Sequence, residues 1–342
     1  MNSTGASKTF DLPAKDRVLD YLASDHYVKR MRRTVINFFI PIIAMILFLI
    51  LWSAGAQNVQ TSLGVLPGPA KVWEQTVALY EEHRAERLRE RAFYERMAQR
   101  ADKAIAAGEP QARIDKIQNR KYTGIATFFD QIITSLVTVL AGFLIATLIA
   151  IPIGIMSGMS QTLYNAINPL VQIFKPVSPL AWLPLVTMVV SALYVTNDPM
   201  FSKSFLNSAI TVALCCLWPT IINTTVGVAS VSKDLINVSR VLRLGWFTKS
   251  TKIVLPSAIP MIFTGLRLSL SIGWMVLIAA EMLAQNPGLG KFVWDEFQNG
   301  SSNSLARIMV AVLVIGLIGF LLDRGMLMLQ RWVSWDKSAV LR

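Results

Sequence analysis

Two stretches of the chain contain no Asp, Glu, Lys or Arg, one from Gln131 to Phe174 and the other from Ser204 to Ser232. Water imposes no reason for runs of this length to stay uncharged, but a bilayer does, because about 20 helical residues are needed to cross its hydrocarbon core. Only a structure that satisfies its own backbone polar groups survives there, and for uninterrupted apolar runs that structure is the α-helix. Composition agrees: 53% of residues are hydrophobic and 16% charged, where soluble chains run near a quarter charged. The fold class that follows is an all-α polytopic membrane protein with about six transmembrane helices.

The net charge of +12 raises the question of nucleic acid, and the placement of the charges answers it. Seven basic residues precede the first apolar run, with Lys29, Arg30, Arg32 and Arg33 abutting it. Five lie between Lys233 and Lys252 and four between Arg324 and Arg342. Basic clusters on alternate loops are the signature of cytoplasmic loops in a membrane protein, so no nucleic-acid partner is expected and the bound surface is membrane lipid. Cys215 and Cys216 are adjacent inside an apolar run and form neither a disulfide framework nor a metal site. His26 and His83 stand apart, and no cofactor is expected.

Residues 1–33 read as a cytoplasmic segment and 34–52 as the first span, uncleaved because its polar leader is long and its apolar run exceeds that of a signal sequence. Residues 53–127 form an external loop, and 128–328 a five-helix core with spans near 128–157, 168–195, 204–228, 259–283 and 305–328. Within that core, 229–258 is a cytoplasmic loop; 329–342 is a cytoplasmic tail. Pro176, Pro179 and Pro184 predict a kink in the third span, and Gly154 with Gly158 a close helix contact. The external loop departs from the pattern: 81–121 holds eleven Lys/Arg and eight Asp/Glu. It reads as a charged helical insertion with an apolar stripe of Tyr94, Met97, Ala98, Ala101, Ala104 and Ile105, stopped by Gly108 and Pro110.

Enzyme chemistry is absent. Gly288-Leu289-Gly290-Lys291-Phe292 has neither the spacing nor the hydroxyl of a phosphate loop, and no catalytic triad or paired carboxylates can be assembled. Lys175, Arg267 and Glu281 lie within apolar spans towards their ends, where snorkelling suffices to explain them. A transporter without its own energy source is a channel or a subunit driven by a partner.

The loop at 229–258 points to the partner. Ser232 is an N-cap, Asp234 sits in the first turn and Arg240 and Arg243 in the last, all matched to the helix dipole. Leu235, Val238 and Leu242 form an apolar stripe, and Gly245 supplies a left-handed stop. A helix of about twelve residues in the cytosol should not need an apolar face, unless it packs on its own spans or docks into a groove. A second short helix, from Phe247 to Val254, is expected to end at Leu255-Pro256.

Here the residues resemble a family. Asn237-Val238-Ser239-Arg240-Val241-Leu242 through Ile253-Val254-Leu255-Pro256-Ser257-Ala258-Ile259-Pro260 looks like the coupling loop of ABC-importer permeases. Thr264-Gly265-Leu266-Arg267, Ala279-Ala280-Glu281-Met282, Gly288-Leu289-Gly290 and Trp294-Asp295 fit the nitrate/sulfonate/taurine/bicarbonate branch. Lys175 to Leu185 and Leu66-Pro67-Gly68-Pro69 add to it, and Gln285 to Ser302 looks most like nitrate-transport permeases. The resemblance covers roughly 35–80 and 125–335. The loop's usual Glu falls on Asn237 and its usual Gly on Arg243, with Gly245 two residues later, which implies a dedicated ATPase partner.

The resemblance implies a type I ABC-importer permease fold in a bacterial cytoplasmic (inner) membrane, multi-pass with both termini cytoplasmic. It implies cytosolic ABC ATPase subunits, a periplasmic or external substrate-binding protein, and a second permease copy in a homodimer. Leu235, Asn237, Val238, Ser239, Leu242, Arg243 and Gly245 are the candidate ATPase-coupling residues; Glu281 and Trp182 are candidate gate or structural positions. The cargo would be a small anion, nitrate first, with sulfonate, taurine, cyanate or bicarbonate as alternatives. Lys203, Lys291 and Arg307 would give the outer mouth a positive potential. An ATP-independent channel or carrier, or a membrane scaffold with 81–121 as its arm, are the rival classes. The docking-type loop disfavours the first.

Overall fold

The computed structural model describes residue 36 and residues 38–61, 64–195, 200–301 and 303–333. The segment 1–33, with its basic cluster and His26, and the tail beyond residue 333 lie outside the described residues. The chain divides into two compact units, Met1–Pro69 and Ala70–Arg342.

In the first unit, α1 (Phe38–Asn58) has a mean hydropathy of 2.5. At 1.5 Å per residue it is about 31 Å long, which matches the hydrocarbon core. A two-residue antiparallel pair follows, β1 (Gln60–Thr61) with β2 (Gly64–Val65), in the register Gln60↔Val65.

The second unit opens with two helices outside the apolar core, α2 (Pro69–Ala106) and α3 (Gln111–Gln118). Gly108, at φ +67°, breaks the chain between them. The core comprises α4 (Phe128–Met159), α5 (Gln161–Phe174), α6 (Pro179–Leu193) and α7 (Lys203–Ala229). Beyond the loop helix α8 (Lys233–Val241) come α9 (Trp246–Lys249), α10 (Leu255–Ala284), α11 (Leu289–Asn299) and α12 (Ser304–Val333). Four core segments are long and apolar enough to cross a membrane, α4, α7, α12 and the continuous run Trp246–Ala284.

Helix α7 is the centre, flanked by α4 and α10. Small residues let the backbones close: a Cβ on Gly154 or Gly158 would stand 2.6 Å from the Cβ of Thr224 or Val228, so the expected close contact is made with α7. Between α7 and α10 the buried polar groups satisfy one another. Thr220 and Ser269 hydroxyls lie 2.6 Å apart, and Ser269 donates to Cys216 O at 2.6 Å while Cys216 Sγ donates to Ser269 O. Cys216 is therefore a packing and bonding residue of the core.

Two expectations are corrected. The third span is not one kinked helix: α5 and α6 meet at 101° across residues 175–178. Pro176 and Pro179 contribute no N–H there, and Ser178 caps the new helix by accepting from Leu180 N. The short helix at the loop's end does not stop at Pro256 either. A π-turn over Ser250–Val254, in which Leu255 N–H donates to Ser250 O, carries α9 into α10. The wider turn places Pro256 in the first turn of α10, where its missing donor is harmless.

Candidate functional site

Helix α8 forms as its sequence dictates at the start. Ser232 Oγ accepts from Leu235 N–H at 3.4 Å, and Asp234 lies in the first turn. The C-terminus differs from expectation. Helix α8 has nine residues rather than about twelve, and its left-handed residue is Arg243 at φ +47°, not Gly245. Arg243 N–H donates to Arg240 O and Leu244 N–H to Ser239 O, both at 3.0 Å, which is the two-bond pattern of a Schellman stop. Gly245 sits at φ −61° and opens α9. The position where the resembled loop usually carries Gly is thus the one at which this backbone turns left-handed.

The apolar stripe is bare. Leu235 is 43% exposed, Val238 51% and Leu242 62%, and Val241, Trp246 and Phe247 are exposed beside them. A contiguous apolar patch on a soluble loop marks an interaction surface. Asn237 and Arg243 are also exposed. Ser239 faces the other way: it is buried and donates to Ile236 O at 2.6 Å. Next along, Ser250 Oγ reaches Met159 Sδ at 3.1 Å, fixing the loop to the end of α4.

At the opposite end of the core, Glu281 is 1% exposed. Snorkelling does not explain it. Ser135 Oγ lies 2.8 and 2.9 Å from its two carboxylate oxygens, and Gly290 N–H donates to Oε2 at 2.9 Å. Leu289 N–H donates to Ser135 Oγ at 2.9 Å. Helix α11 has no side-chain cap of its own, so a carboxylate from α10 and a hydroxyl from α4 bind its first amides, where negative charge is favoured. Gly290 permits this approach: a Cβ there would run into Ile278 O. Ser135 was invisible from sequence, because a serine in an apolar span carries no signal until its partner is known.

Most of the other charges of this end are paired. Lys291 bonds Asp295 at 2.8 Å, and Arg307 bonds Glu296 and Glu82. Of the three cations expected at the outer mouth, only Lys203 is without an ion pair among the described residues. Arg267 likewise does not snorkel; its guanidinium meets Asp323 of α12 through Nε and a terminal nitrogen at 2.9 and 3.1 Å. Asp323, an acid inside an apolar span, was the available signal for that pair.

Helix α2 straps across this end. His83 Nδ1 lies 2.7 Å from Thr127 Oγ1, and Arg87 bonds Asp130 at 2.8 Å. Thr127 and Asp130 in turn form a capping box on α4. Glu86 accepts from the Tyr122 hydroxyl at 2.7 Å and from Ile125 N–H at 3.2 Å. The Tyr122 bond holds the Glu86 carboxyl below the usual carboxylate range, and the same bond raises Tyr122 above the usual phenol range. Of the expected stripe, Met97, Ala101 and Ala104 are buried, whereas Tyr94, Ala98 and Ile105 are exposed. Helix α2 begins well before residue 81, and Glu82, His83, Glu86 and Arg87 are anchors.

Trp182 packs at the break between α5 and α6. Its ring lies 5.8 Å from that of Phe174, which stacks on Trp218 of α7 at 5.7 Å. Three aromatics from three helices thus brace the break.

Comparison with known proteins follows the same lines. The family described as "Binding-protein-dependent transport system inner membrane component" matches residues 150–335. The bicarbonate transport system permease protein CmpB of Synechococcus elongatus is 32% identical over 307 residues, covering 90% of this chain and 93% of that protein. The nitrate import permease protein NrtB of Synechocystis sp. is 37% identical over 203 residues, 59% of this chain and 69% of that one. The taurine transport system permease protein TauC of Escherichia coli is 29% identical across 81% of this chain and 89% of that one. Among solved structures, the inward-facing MetNI methionine ABC transporter aligns with a TM-score of 0.52 at 13% identity, over 60% of this chain and 96% of that one, a likeness of fold. Such membership entails an ATPase on a separate subunit and a substrate-binding protein as partners. A family match over more than half the chain, and a relative aligned along nearly all of both sequences, make this chain a member of the binding-protein-dependent transport inner membrane components, a multi-pass ABC importer permease and not an enzyme.

Proposed function

We propose that the chain is the membrane half of an importer for a small monovalent oxyanion, nitrate in the first instance, and that two copies pair around the path. The observation that carries the mechanism is the bare apolar face of α8, a helix capped at both ends whose opposite side buries Ser239 and whose loop is fixed to α4 further on through Ser250 and Met159. Leu235, Val238 and Leu242 enter a groove on the ATPase, with Asn237, Arg243 and Gly245 at its rim. The basic loop that holds α8 lies in the cytosol, both termini lie on that side, and α2 and α3 face the binding protein. Lipid surrounds α1 and the outward faces of the core. ATP-driven closure of the ATPases moves the paired α8 helices together and reopens the path on the far side. A ligand drives such a change only through contacts that differ between the two states.

The nitrate reading is supported by the segment Gln285–Ser302 and by NrtB at 37% identity. The bicarbonate reading is supported by CmpB, aligned over 93% of its length. Both ions are planar, monovalent and of similar size. Deleting the chain and following uptake of labelled nitrate and bicarbonate at low external concentration decides between them. Loss of nitrate uptake alone supports the first reading. Loss of bicarbonate uptake alone overturns it and keeps the importer.

A further inference from the structure

Between α4, α5 and α7 lies a cavity of about 140 Å³ whose polar lining consists of Ser157, Tyr164, Asn168, Gln172, Lys175 and Thr225. A water needs roughly 10–15 Å³ of such space, so a four-atom ion with part of its hydration shell fits. Among the described residues the lining is one ammonium, two carboxamides and three hydroxyls, with no carboxylate. Among the described residues no acid pairs with Lys175. Gln172 Nε2 leans on Asn168 Oδ1 at 3.4 Å, which leaves the Asn168 NH₂ group to donate into the cavity. Thr225 already donates to Gly154 O, so the donors on offer are Lys175, Asn168, Tyr164 and Ser157. The walls are Ile167, Val171, Ile221 and Ile222, and the neighbouring Phe174–Trp218 stack holds the end of α5 beside Lys175.

Resting on the import reading, we infer that this cavity is a way-station for the transported ion, specifically a site for a monovalent oxyanion at the mouth nearest α8. Three observations place and define it. Ser157 is two residues from the end of α4 and Thr225 four from the end of α7, within roughly 6 Å of those ends at 1.5 Å per residue, and α7 leads directly into the loop of α8. A lone ammonium repels cations and gives a neutral solute no advantage. It balances one negative charge but not two, so nitrate or bicarbonate fits better than sulfate. The exposed side of the cavity keeps the ion partly hydrated, which suits an ion that must leave.

The test uses the full chain in lipid nanodiscs with isotope-labelled nitrate and, separately, bicarbonate, reading line broadening of the ion with and without excess sulfate. Lys175→Gln should weaken binding on the order of tenfold, as loss of a charged hydrogen bond does, Lys175→Arg should restore it, and Asn168→Leu should fall between. Lys175 is exposed, so these variants should fold, and unchanged thermal midpoints check this. In the importer reconstituted with its ATPase and binding protein, Lys175→Gln should slow uptake without lowering the affinity of the isolated binding protein. Equal broadening in wild type and Lys175→Gln, or displacement of nitrate by equimolar sulfate, overturns the site while leaving the importer standing. Absence of ATP-dependent anion uptake by the wild type overturns the import reading itself, and the broadening data then decide the site alone.

Discussion

The two ends of the core are built on opposite principles. At the α11 end the charges are largely paired or bonded: Glu281 holds the Gly290 amide of α11 and the Ser135 hydroxyl of α4, Arg307 bridges to Glu82 and Glu296, Lys291 to Asp295 and Arg87 to Asp130. At the α8 end the apolar residues Leu235, Val238, Leu242, Trp246 and Phe247 face solvent, and in the cavity that opens near this end Lys175 pairs with no acid among the described residues. A buried polar network is worth most when fully satisfied, and it specifies one geometry. An uncovered apolar face is worth nothing until something covers it. One end is finished within the chain, and the other, on the readings proposed above, is left for an ATPase and an ion.

The largest effect should come from breaking the finished end. Glu281→Ala removes the acceptor of Gly290 N–H and of the Ser135 hydroxyl, leaving two buried donors unsatisfied at about 1–3 kcal/mol each, while Ser135 Oγ still accepts from Leu289 N–H. The purified permease should lose several degrees of thermal midpoint, and α11 should become protease-sensitive. Glu281→Gln keeps the shape and one acceptor, so it should lose less. If Glu281→Ala melts like wild type, the carboxylate is not what holds α11, and the contrast between the ends fails.

The unfinished end should respond in the opposite way. Leu242→Ala and Leu235→Asp change exposed groups, so the stability of the lone permease should stay within about 0.5 kcal/mol of wild type. Attachment of the ATPase should fall, because central apolar anchors of an interface are worth about 2 kcal/mol or more, roughly thirtyfold in affinity. Co-purification of the ATPase with each variant, and stimulation of its hydrolysis by the loaded binding protein, measure this. Normal values for both variants would falsify the docking role of α8.

These contrasts show what the sequence could and could not reveal. Span positions were legible because hydrophobicity is additive along a helix and needs no partner. The capped start of α8 was legible because Ser232 and its target amide are three residues apart. Glu281 does lie near the end of its span, but snorkelling was the wrong account of it because its partners, Ser135 and Gly290, lie far away in sequence or on another helix. The third span was misread for a related reason: Pro176 and Pro179 announce a bend, but whether the helix kinks or breaks at 101° depends on what α6 packs against. Local chemistry can be read from spacing, whereas convergence of distant groups cannot.

A smaller effect concerns the strap. The Glu86 carboxyl is depressed by its bond from Tyr122, so that bond's contribution is present above the ordinary carboxylate value of 4.5 and is lost as the pH falls through the lowered one. The Tyr122 phenol is raised, so its share is present below the ordinary value of 10.0 and is lost as the pH climbs through the raised one. Hydrogen exchange at Ile125, normalised to an unfolded peptide, should therefore show protection between these limits and loss beyond either. Tyr122→Phe should remove part of that protection at neutral pH. A flat profile that matches the variant would show that the strap is held without the Tyr122–Glu86 bond, by Arg87, His83 and the Arg307–Glu82 pair.

The smallest effect separates two residues two positions apart. Arg243 sits at φ +47° and Gly245 at φ −61°. A left-handed non-glycine residue is roughly 1–2 kcal/mol strained, and a glycine in an ordinary conformation wastes about 0.5–1 kcal/mol of chain entropy. Arg243→Gly should therefore sharpen the end of α8 by relieving the backbone, at the loss of one exposed charge, and should stabilise the loop by about 1 kcal/mol. Nothing lies within 4 Å of a Cβ built on Gly245, so Gly245→Ala should also be neutral or slightly stabilising. Were Gly245 the true stop, as spacing alone predicts, Gly245→Ala would instead destabilise the loop and Arg243→Gly would do little. Hydrogen exchange at Leu244 N–H, which closes the Schellman bond to Ser239 O, reports on both variants. Slower exchange in Arg243→Gly with no acceleration in Gly245→Ala is the expected pair of results, and the reversed pair would return the stop to Gly245.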